Sequence, residues 1–355
     1  TLTDRIYPQF ATHNAHTVAA ILELATDKTT FEFQRLHGMG EALHDIVLRD
    51  SQTRCRIYAP VGAHRDLLAY LVRRLLENGA NSSFVNQIID ETVPPSDVAA
   101  DPFETLAGAT NTAVALPKDI FAPRKNSLGW DLHRHADIDE IETARAHFAQ
   151  TNWTAGPLTV AKPTGAETLT IANPARPDDT VGTVLQATEV DAQAAIKNAA
   201  VWKAPANIRA TVLRKAADLY EQNFGELFAV LAREAGKTPM DAIAELREAV
   251  DFLRFYADEA ERQTDYTPRG IFTCISPWNF PLAIFSGQIS AALAAGNAVL
   301  AKPAEPTSIT AYIAVKLLHQ AGVPKSALQL LPGAGRVIGS ALTTSEKICG
   351  TCFTG

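Results

Sequence analysis

A neutral amide, that of Asn279, stands where an apolar run beginning at Gly270 gives way to the segment 276–281, SPWNFP. The run predicts a buried strand, and small residues over 282–295 predict the helix that follows it. An amide at this junction can donate to a developing oxyanion without titrating, which thiohemiacetal chemistry needs. An asparagine at this position is also a typical helix cap, and the residues alone leave both roles open.

Two further polar groups follow the next two predicted strands. Lys302 and Glu305 match the two hydroxyls of a ribose with one donor and one acceptor, although a surface ion pair would look the same. The segment Gly333-Ala334-Gly335 allows a close backbone approach to a ligand, and the helix predicted after it could face a phosphate. Because parallel strands end at one edge of a sheet, these groups together predict a nucleotide site with an amide donor.

A second group of candidate residues lies on a helix predicted over 67–79. Tyr70, Arg73, Arg74 and Glu77 share one face, while apolar side chains at 68, 71, 72, 75 and 76 share another. Adjacent guanidinium groups beside an aromatic wall suit the carboxylate of a small acidic molecule. A solvated face with an Arg–Glu ion pair is the alternative.

Neither a metal site nor a phosphate-binding P-loop is expected. The histidines show no zinc-ligand spacing with cysteine or carboxylate, and Leu231 occupies the glycine position that a P-loop ending at Gly236-Lys237-Thr238 requires. We expect the four cysteines to be reduced and the C-x-x-C of Cys349 and Cys352 to be structural. Cys274 and Cys352 fall inside predicted strands, where burial would raise the pKa of a thiol.

Composition limits the class of protein. The chain has 355 residues, enough for two domains, with 46% hydrophobic and 20% charged residues. Its net charge of -7 argues against a nucleic-acid-binding surface in this segment, because phosphate contacts need clustered Lys and Arg. With no apolar span or signal peptide in the sequence, we expect a soluble cytoplasmic protein.

The order of the predicted elements indicates an α/β fold in three parts. Residues 1–90 alternate strands near 9–14, 31–36 and 55–60 with helices, and residues 91–155 form a connector with little core of its own. Residues 156–355 hold long helices over about 191–262 and then strands near 270–276, 298–302, 327–331 and 348–353. This alternation predicts a parallel, doubly wound sheet with its ligand site at the carboxyl ends of the strands.

The first 90 residues resemble the proline dehydrogenase domain of the proline utilization A family of bifunctional bacterial enzymes. The likeness is carried by residues 10–14, 32–34, 36–40, 57–62 and 70–81. It implies the C-terminal part of a distorted (β/α)8 barrel that binds FAD. Within that barrel, Arg73 and Arg74 would pair with the carboxylate of L-proline, and Glu77 would orient them.

The same resemblance assigns the surrounding residues. It implies that Leu36, Tyr58 and Tyr70 shape the pocket around the pyrrolidine ring. It places Thr12, His13, Asn14 and Phe84 beside the FAD. Polar residues at the carboxyl ends of barrel strands agree with this assignment, since barrel enzymes keep their chemistry there.

The second half resembles the aldehyde dehydrogenase superfamily, with segment 234–238, the helix at 242–257 and the three strand-end groups carrying the likeness. It implies a Rossmann-like, NAD-binding N-terminal half. Asn279 would be the oxyanion donor, and Phe280 would pack on the aliphatic part of glutamate semialdehyde. The implied NAD contacts are Ile275, Pro277, Trp278, Lys302, Glu305, Phe353, Thr354 and Gly355.

Taken together, the two resemblances predict an internal fragment of a proline-catabolic enzyme. They imply that the nucleophilic cysteine and the general-base glutamate lie beyond Gly355, and that the chain alone is inactive because both sites are truncated. They also imply a quinone as flavin oxidant, peripheral association of the parent with the inner membrane, and a homo-oligomer. Two alternatives stay open: a stand-alone aldehyde dehydrogenase segment, or a non-catalytic regulatory or binding protein on a dehydrogenase scaffold.

Overall fold

The computed structural model describes residues 5–79, 91–106, 114–165, 167–263 and 265–355. The chain forms two compact units, Thr1–Thr112 and Ala113–Gly355. Both contain helices and strands, so the predicted α/β class is confirmed. Within the described ranges, no helix is long and apolar enough to cross a membrane.

The first unit is built on a parallel sheet of three strands in the order β1-β2-β3, which confirms the three strands predicted here. The strands are β1 Gln9–Ala11, β2 Glu32–Leu36 and β3 Arg54–Tyr58. The helices are α1 Ala15–Leu24, α2 Glu41–Ser51, α3 His64–Gly79, α4 Pro95–Val98 and α5 Pro102–Leu106. Val18, Phe31, Phe33 and Val47 form its small core.

The predicted apolar face of α3 is present in sequence but is not buried in this structure. The exposed fractions are 51% for Leu68, 41% for Leu71, 44% for Val72 and 72% for Leu76. The buried side chains of the unit's core come instead from α1, α2, β2 and the residue that precedes β2. Helical periodicity therefore located the apolar stripe of α3 without determining what packs against it.

The second unit contains a parallel sheet of four strands in the order β10-β7-β8-β9. They are β7 Ile271–Ile275, β8 Ala298–Lys302, β9 Leu328–Leu330 and β10 Ile348–Phe353, in agreement with all four predictions for this region. Helix α11 Ala283–Ala294 joins β7 to β8, and α12 Ser308–Ala321 joins β8 to β9. Ile275 pairs in register with Lys302 on one side and Phe353 on the other, so these residues share the carboxyl edge.

A second sheet and four long helices complete this unit. The sheet contains β4 Trp153–Ala155, β5 Thr168–Asn173 and β6 Arg176–Leu185, in the order β4-β6-β5. The helices that follow are α7 Glu189–Asn198, α8 Ala206–Gln222, α9 Phe224–Ala235 and α10 Pro239–Arg262. Gly236 ends α9 in the left-handed conformation, at φ 66°, and Thr238 caps α10 by accepting from the amide of Asp241.

Residues 114–155 belong to the second unit and contain helix α6, His135–Ala146. The hydroxyl and amide of Ser127 each donate to Asp251 over 2.8 Å. The amide of Leu128 donates to Glu221 over 2.7 Å, and Glu221 also pairs with Arg254. Ile141 and Trp153 join the unit's main core, so the connector's apolar residues contribute to that core.

Candidate active sites

The segment after β7 presents its side chains at the carboxyl edge of the larger sheet. Ser276 and Pro277 are buried, whereas Trp278 and Phe280 are 60% and 41% exposed and Asn279 is exposed between them. Helix α11 begins at Ala283, and its N-cap position is Leu282. Asn279 is therefore not the helix cap, and its amide is left available for another role.

Two charged residues support this loop: Lys237, which lies between α9 and α10, and Glu245 on α10. Oε2 of Glu245 accepts hydrogen bonds from the amides of Leu282, over 3.2 Å, and Ala283, over 2.8 Å. Oε1 of Glu245 lies 3.0 Å from Nζ of Lys237, and that ammonium lies 4.7 Å from the centroid of the Phe280 ring. The loop is therefore held at the ring of Phe280 and at the point where it enters α11.

Lys302 and Glu305 follow β8, as predicted. Lys302 is buried and donates to the carbonyl of Pro303 over 2.9 Å, so the alternative of a surface ion pair does not describe it. Burial lowers the pKa of its ammonium. Oε1 of Glu305 accepts from the amide of Gly335 over 3.0 Å, which joins the loop after β8 to the loop after β9.

A buried carboxylate, that of Glu234, holds the helix after this loop. It accepts from the amides of Ile309 and Thr310 over 2.7 and 2.8 Å, and from the Thr310 hydroxyl over 2.6 Å. Burial raises the pKa of Glu234 to about 7, although these hydrogen bonds act in the opposite direction. Glu234 thereby anchors α12 in the way that Glu245 anchors α11.

The two glycines after β9 have different roles. A Cβ on Gly333 would lie 2.8 Å from the side chain of Ile338, so this glycine is required by packing inside the protein. A Cβ on Gly335 would meet open space, which leaves room for a ligand. The helix predicted here is present but short. It consists of a π-helical turn over Gly335–Gly339 and one α-helical turn, α13 Ser340–Thr343, which ends at Thr344.

The end of β10 lies beside the end of β7. The amide of Thr354 donates to the carbonyl of Ile275 over 3.1 Å, and the Thr354 hydroxyl accepts from Gln288 over 3.0 Å. Phe353 is exposed, and Gly355 follows. The structure therefore brings together the residues predicted to contact NAD along one edge.

The cysteines depart from prediction in one respect. Cys274 and Cys352 are paired in register on β7 and β10. A hydrogen bond to Cys352, together with burial, raises the pKa of Cys274 well above its ordinary value, whereas the same hydrogen bond lowers the pKa of Cys352 to about 6. The expectation that both thiols have raised pKa values is wrong for Cys352, because a neighbouring thiol can donate to its thiolate.

The second set of candidate residues is on α3 of the first unit. The guanidinium carbons of Arg73 and Arg74 lie 5.9 and 5.4 Å from the centroid of the Tyr70 ring, so the aromatic wall and the arginine pair are adjacent. Glu77 lies in the same helix. Phe84 falls outside the described residues.

The residues predicted to lie beside FAD follow β1. Oδ1 of Asn14 accepts from the amide of Thr17 and caps α1, and Oγ1 of Thr12 accepts from the amide of Asn14. Nε2 of His13 accepts from the amide of Leu36 over 3.1 Å, which joins the ends of β1 and β2. Leu36 is buried and Tyr58, at the end of β3, is partly exposed. The three strand ends therefore carry these residues on one edge.

Sequence reasoning missed Glu234, Lys237 and Glu245 as functional candidates. One signal was available for Glu245, which lies three residues after Ala242 and four before Ala249 on the apolar stripe of α10. A carboxylate on the buried face of a helix must have a partner, because an unpaired buried charge is costly. The identity of the partner depends on the tertiary structure.

Two family models match this chain. The aldehyde dehydrogenase family model matches residues 160–355, and the proline dehydrogenase model matches residues 1–87. The chain belongs to the aldehyde dehydrogenase family. The chain is also 48% identical over 376 residues to the bifunctional protein PutA of Klebsiella aerogenes. That alignment covers 99% of the chain and 29% of the relative.

The chain is also similar to solved structures of a PutA and of a 1-pyrroline-5-carboxylate dehydrogenase. The chain aligns with the crystal structure of proline utilization A (PutA) from Bdellovibrio bacteriovorus inactivated by N-propargylglycine, at a TM-score of 0.76 and 30% identity, over 99% of this chain and 39% of that one. A Thermus 1-pyrroline-5-carboxylate dehydrogenase with bound NAD aligns at a TM-score of 0.60 and 29% identity, over 65% and 49% of the two chains. The chain spans less than a third of the length of the PutA relative from Klebsiella aerogenes.

Proposed function

We propose that the chain supplies parts of both active sites of a bifunctional enzyme that converts L-proline to glutamate. FAD-dependent oxidation of proline gives pyrroline-5-carboxylate, which hydrolyses to glutamate semialdehyde, and NAD-dependent oxidation of the semialdehyde gives glutamate. One observation carries the proposal. A tyrosine–arginine face lies within the residues matched by the proline dehydrogenase model, and an amide–lysine–glutamate edge lies within those matched by the aldehyde dehydrogenase model.

In this proposal the chain has three parts. Residues 1–90 are the C-terminal part of a (β/α)8 flavin barrel, residues 91–155 are a connector, and residues 156–355 are a Rossmann-like N-terminal aldehyde dehydrogenase half. The parallel order β1-β2-β3 and the parallel order β10-β7-β8-β9 support the first and third assignments. Bound NAD would accept the hydride, and bound FAD would accept the electrons of proline.

For semialdehyde oxidation, the strand-end groups have separate roles. Lys302 donates to a ribose hydroxyl of NAD and Glu305 accepts from one, while the open space beside Gly335 accommodates the cofactor. The apolar and backbone contacts come from Ile275, Pro277, Trp278, Phe353, Thr354 and Gly355. Asn279 donates to the oxyanion that forms from the aldehyde carbonyl, and Phe280 packs on the aliphatic part of the substrate.

For proline oxidation, Arg73 and Arg74 bind the substrate carboxylate and Glu77 orients them. Tyr70 stands against both guanidinium groups, which supports a rigid arginine pair. Leu36 and Tyr58 complete the pocket around the ring. Thr12, His13, Asn14 and Phe84 contact the FAD.

The surroundings of the enzyme follow from the same proposal. A quinone would reoxidise the flavin, at the periphery of the inner membrane, in an otherwise cytoplasmic homo-oligomer. The net charge of -7 supports the absence of a nucleic-acid surface in this segment.

The test uses the full-length protein that contains this chain. Anaerobic addition of L-proline should bleach the flavin, and addition of glutamate semialdehyde with NAD should produce NADH. Semialdehyde oxidation without proline-dependent bleaching would favour the stand-alone aldehyde dehydrogenase. Loss of both activities with a folded protein would favour the non-catalytic alternative.

A further inference from the structure

We propose that Lys237 and Glu245 are positioning residues for the loop that carries Asn279 and Phe280. The inference rests on the proposed semialdehyde dehydrogenase activity and extends it to residues that need not touch substrate or NAD. They act on the loop in two ways, through the backbone amides at its helical end and through the ring of Phe280.

Glu245 fixes the point where the loop becomes a helix. Its side chain is 2% exposed and lies on the core-facing side of α10. Its Oε2 accepts from the amides of Leu282 and Ala283, the N-cap and the first residue of α11. Amides at a helix N-terminus have no partner within the helix and favour negative charge, so an ionised carboxylate is well suited to hold them. These amides lie three and four residues beyond Asn279.

Lys237 connects this carboxylate to the exposed part of the loop. The residue follows Gly236, which ends α9, and its side chain is 15% exposed. Its ammonium lies 3.0 Å from Oε1 of Glu245 and 4.7 Å from the centroid of the Phe280 ring. One cation therefore compensates the buried carboxylate and packs against the residue next to Asn279.

The two residues are expected to work as one unit. Without Lys237, the buried carboxylate of Glu245 lacks its counter-charge, and an uncompensated buried charge destabilises the arrangement that holds the two amides. Without the carboxylate, Lys237 loses the group that keeps it over the ring. In either case Asn279 is less well placed, and a displacement of about 1 Å can cost about 100-fold in rate.

The experiment compares kcat, the KM for NAD and the thermal midpoint of the full-length enzyme and its variants. Lys237→Met and Glu245→Gln should each lower kcat about 10- to 100-fold while the KM for NAD stays near the wild-type value. The double variant should be no worse than the poorer single variant, because both remove the same unit. Lys237→Arg, which keeps the cation, should recover part of the rate.

Glu221→Gln is the matched control for a buried carboxylate. Glu221 accepts from the amide of Leu128 and pairs with Arg254, but it holds the connector and not the β7 loop. The Glu221→Gln substitution should lower the thermal midpoint and leave kcat unchanged. An equal loss of kcat in Glu221→Gln, or multiplicative losses in the double variant, would overturn the proposal.

Failure of the proposed function gives a different result. A wild-type enzyme that oxidises another aldehyde but not glutamate semialdehyde would refute the substrate assignment. The kcat pattern across the variants, measured on that other aldehyde, would still decide whether Lys237 and Glu245 position the loop.

Discussion

Glu305 and Gly335 are joined by a hydrogen bond of 3.0 Å from the backbone amide of Gly335 to Oε1 of Glu305. The contact links the ends of β8 and β9, whose carboxyl edge also carries Lys302. It holds the carboxylate in place beside the open space at Gly335. The ribose-binding role proposed for Glu305 therefore depends on a carboxylate that is already oriented.

Replacing Glu305 should weaken NAD binding. We expect Glu305→Ala to raise the KM for NAD about 10- to 100-fold, since a hydrogen bond to a charged group contributes about 1.5–3 kcal/mol and about 1.4 kcal/mol is a factor of ten. Steady-state kinetics at saturating semialdehyde measure this. Glu305→Gln keeps an acceptor for Gly335 and should show a smaller increase; an unchanged KM in both variants would remove Glu305 from the NAD site.

Replacing Asn279 should slow the chemical step. Asn279→Ala is expected to lower kcat for semialdehyde oxidation about 100- to 1000-fold, because one oxyanion donor is lost. NAD affinity, measured by fluorescence titration, should remain close to wild type. Asn279→Asp has the same shape without an amide donor and should be equally slow, whereas a fully active Asn279→Ala enzyme would exclude the oxyanion role.

Replacing Arg73 should affect only the proline reaction. Arg73→Met is expected to raise the KM for proline about 10- to 100-fold, because one guanidinium fork that binds the carboxylate is lost. Flavin bleaching as a function of proline concentration measures the change, and NADH formation from semialdehyde is the internal control. Arg73→Lys keeps the charge without the planar fork and should recover the affinity only in part. Normal bleaching at low proline would contradict the assignment.

Glu234 should make stability depend on pH. Its pKa in the folded protein is raised from 4.5 to about 7 by burial. A raised carboxyl pKa contributes stability that is fully present below the unfolded value and is lost as the pH rises through about 7. The change corresponds to about 3 kcal/mol. The free energy of unfolding should therefore fall between about pH 4.5 and 7, as measured by chemical denaturation.

The matched comparison for this prediction is Glu234→Gln. Glutamine does not ionise, but it offers one acceptor oxygen where Glu234 uses one for Ile309 and the other for Thr310, so Glu234→Gln should be less stable by a constant amount. Only the part of the difference in unfolding free energy that changes with pH isolates the titration of Glu234. The difference should change with pH across the same interval. A difference that is constant with pH would mean that Glu234 does not change its protonation state there.

Local sequence determined the strands of both parallel sheets and the long helices. Period-2 and period-3.6 patterns depend on neighbouring residues and can be read directly. The same holds for Tyr70, Arg73 and Arg74, whose spacing on one helix was enough to predict that they lie together. The hairpin of β5 and β6 was missed, because the polar residues at the start of β6 obscure its alternation.

Only the tertiary structure decided how the predicted site residues are held. Glu245 lies 37 residues from Leu282, and Cys274 meets Cys352 across two strands, so no local pattern relates them. The sequence by itself determined which groups stand at the ends of which strands, because strand order along the chain fixes that. Which carboxylates anchor the helices, which glycine is needed for packing and which thiol is acidic depend on distant segments packing together, and that is a property of the fold as a whole.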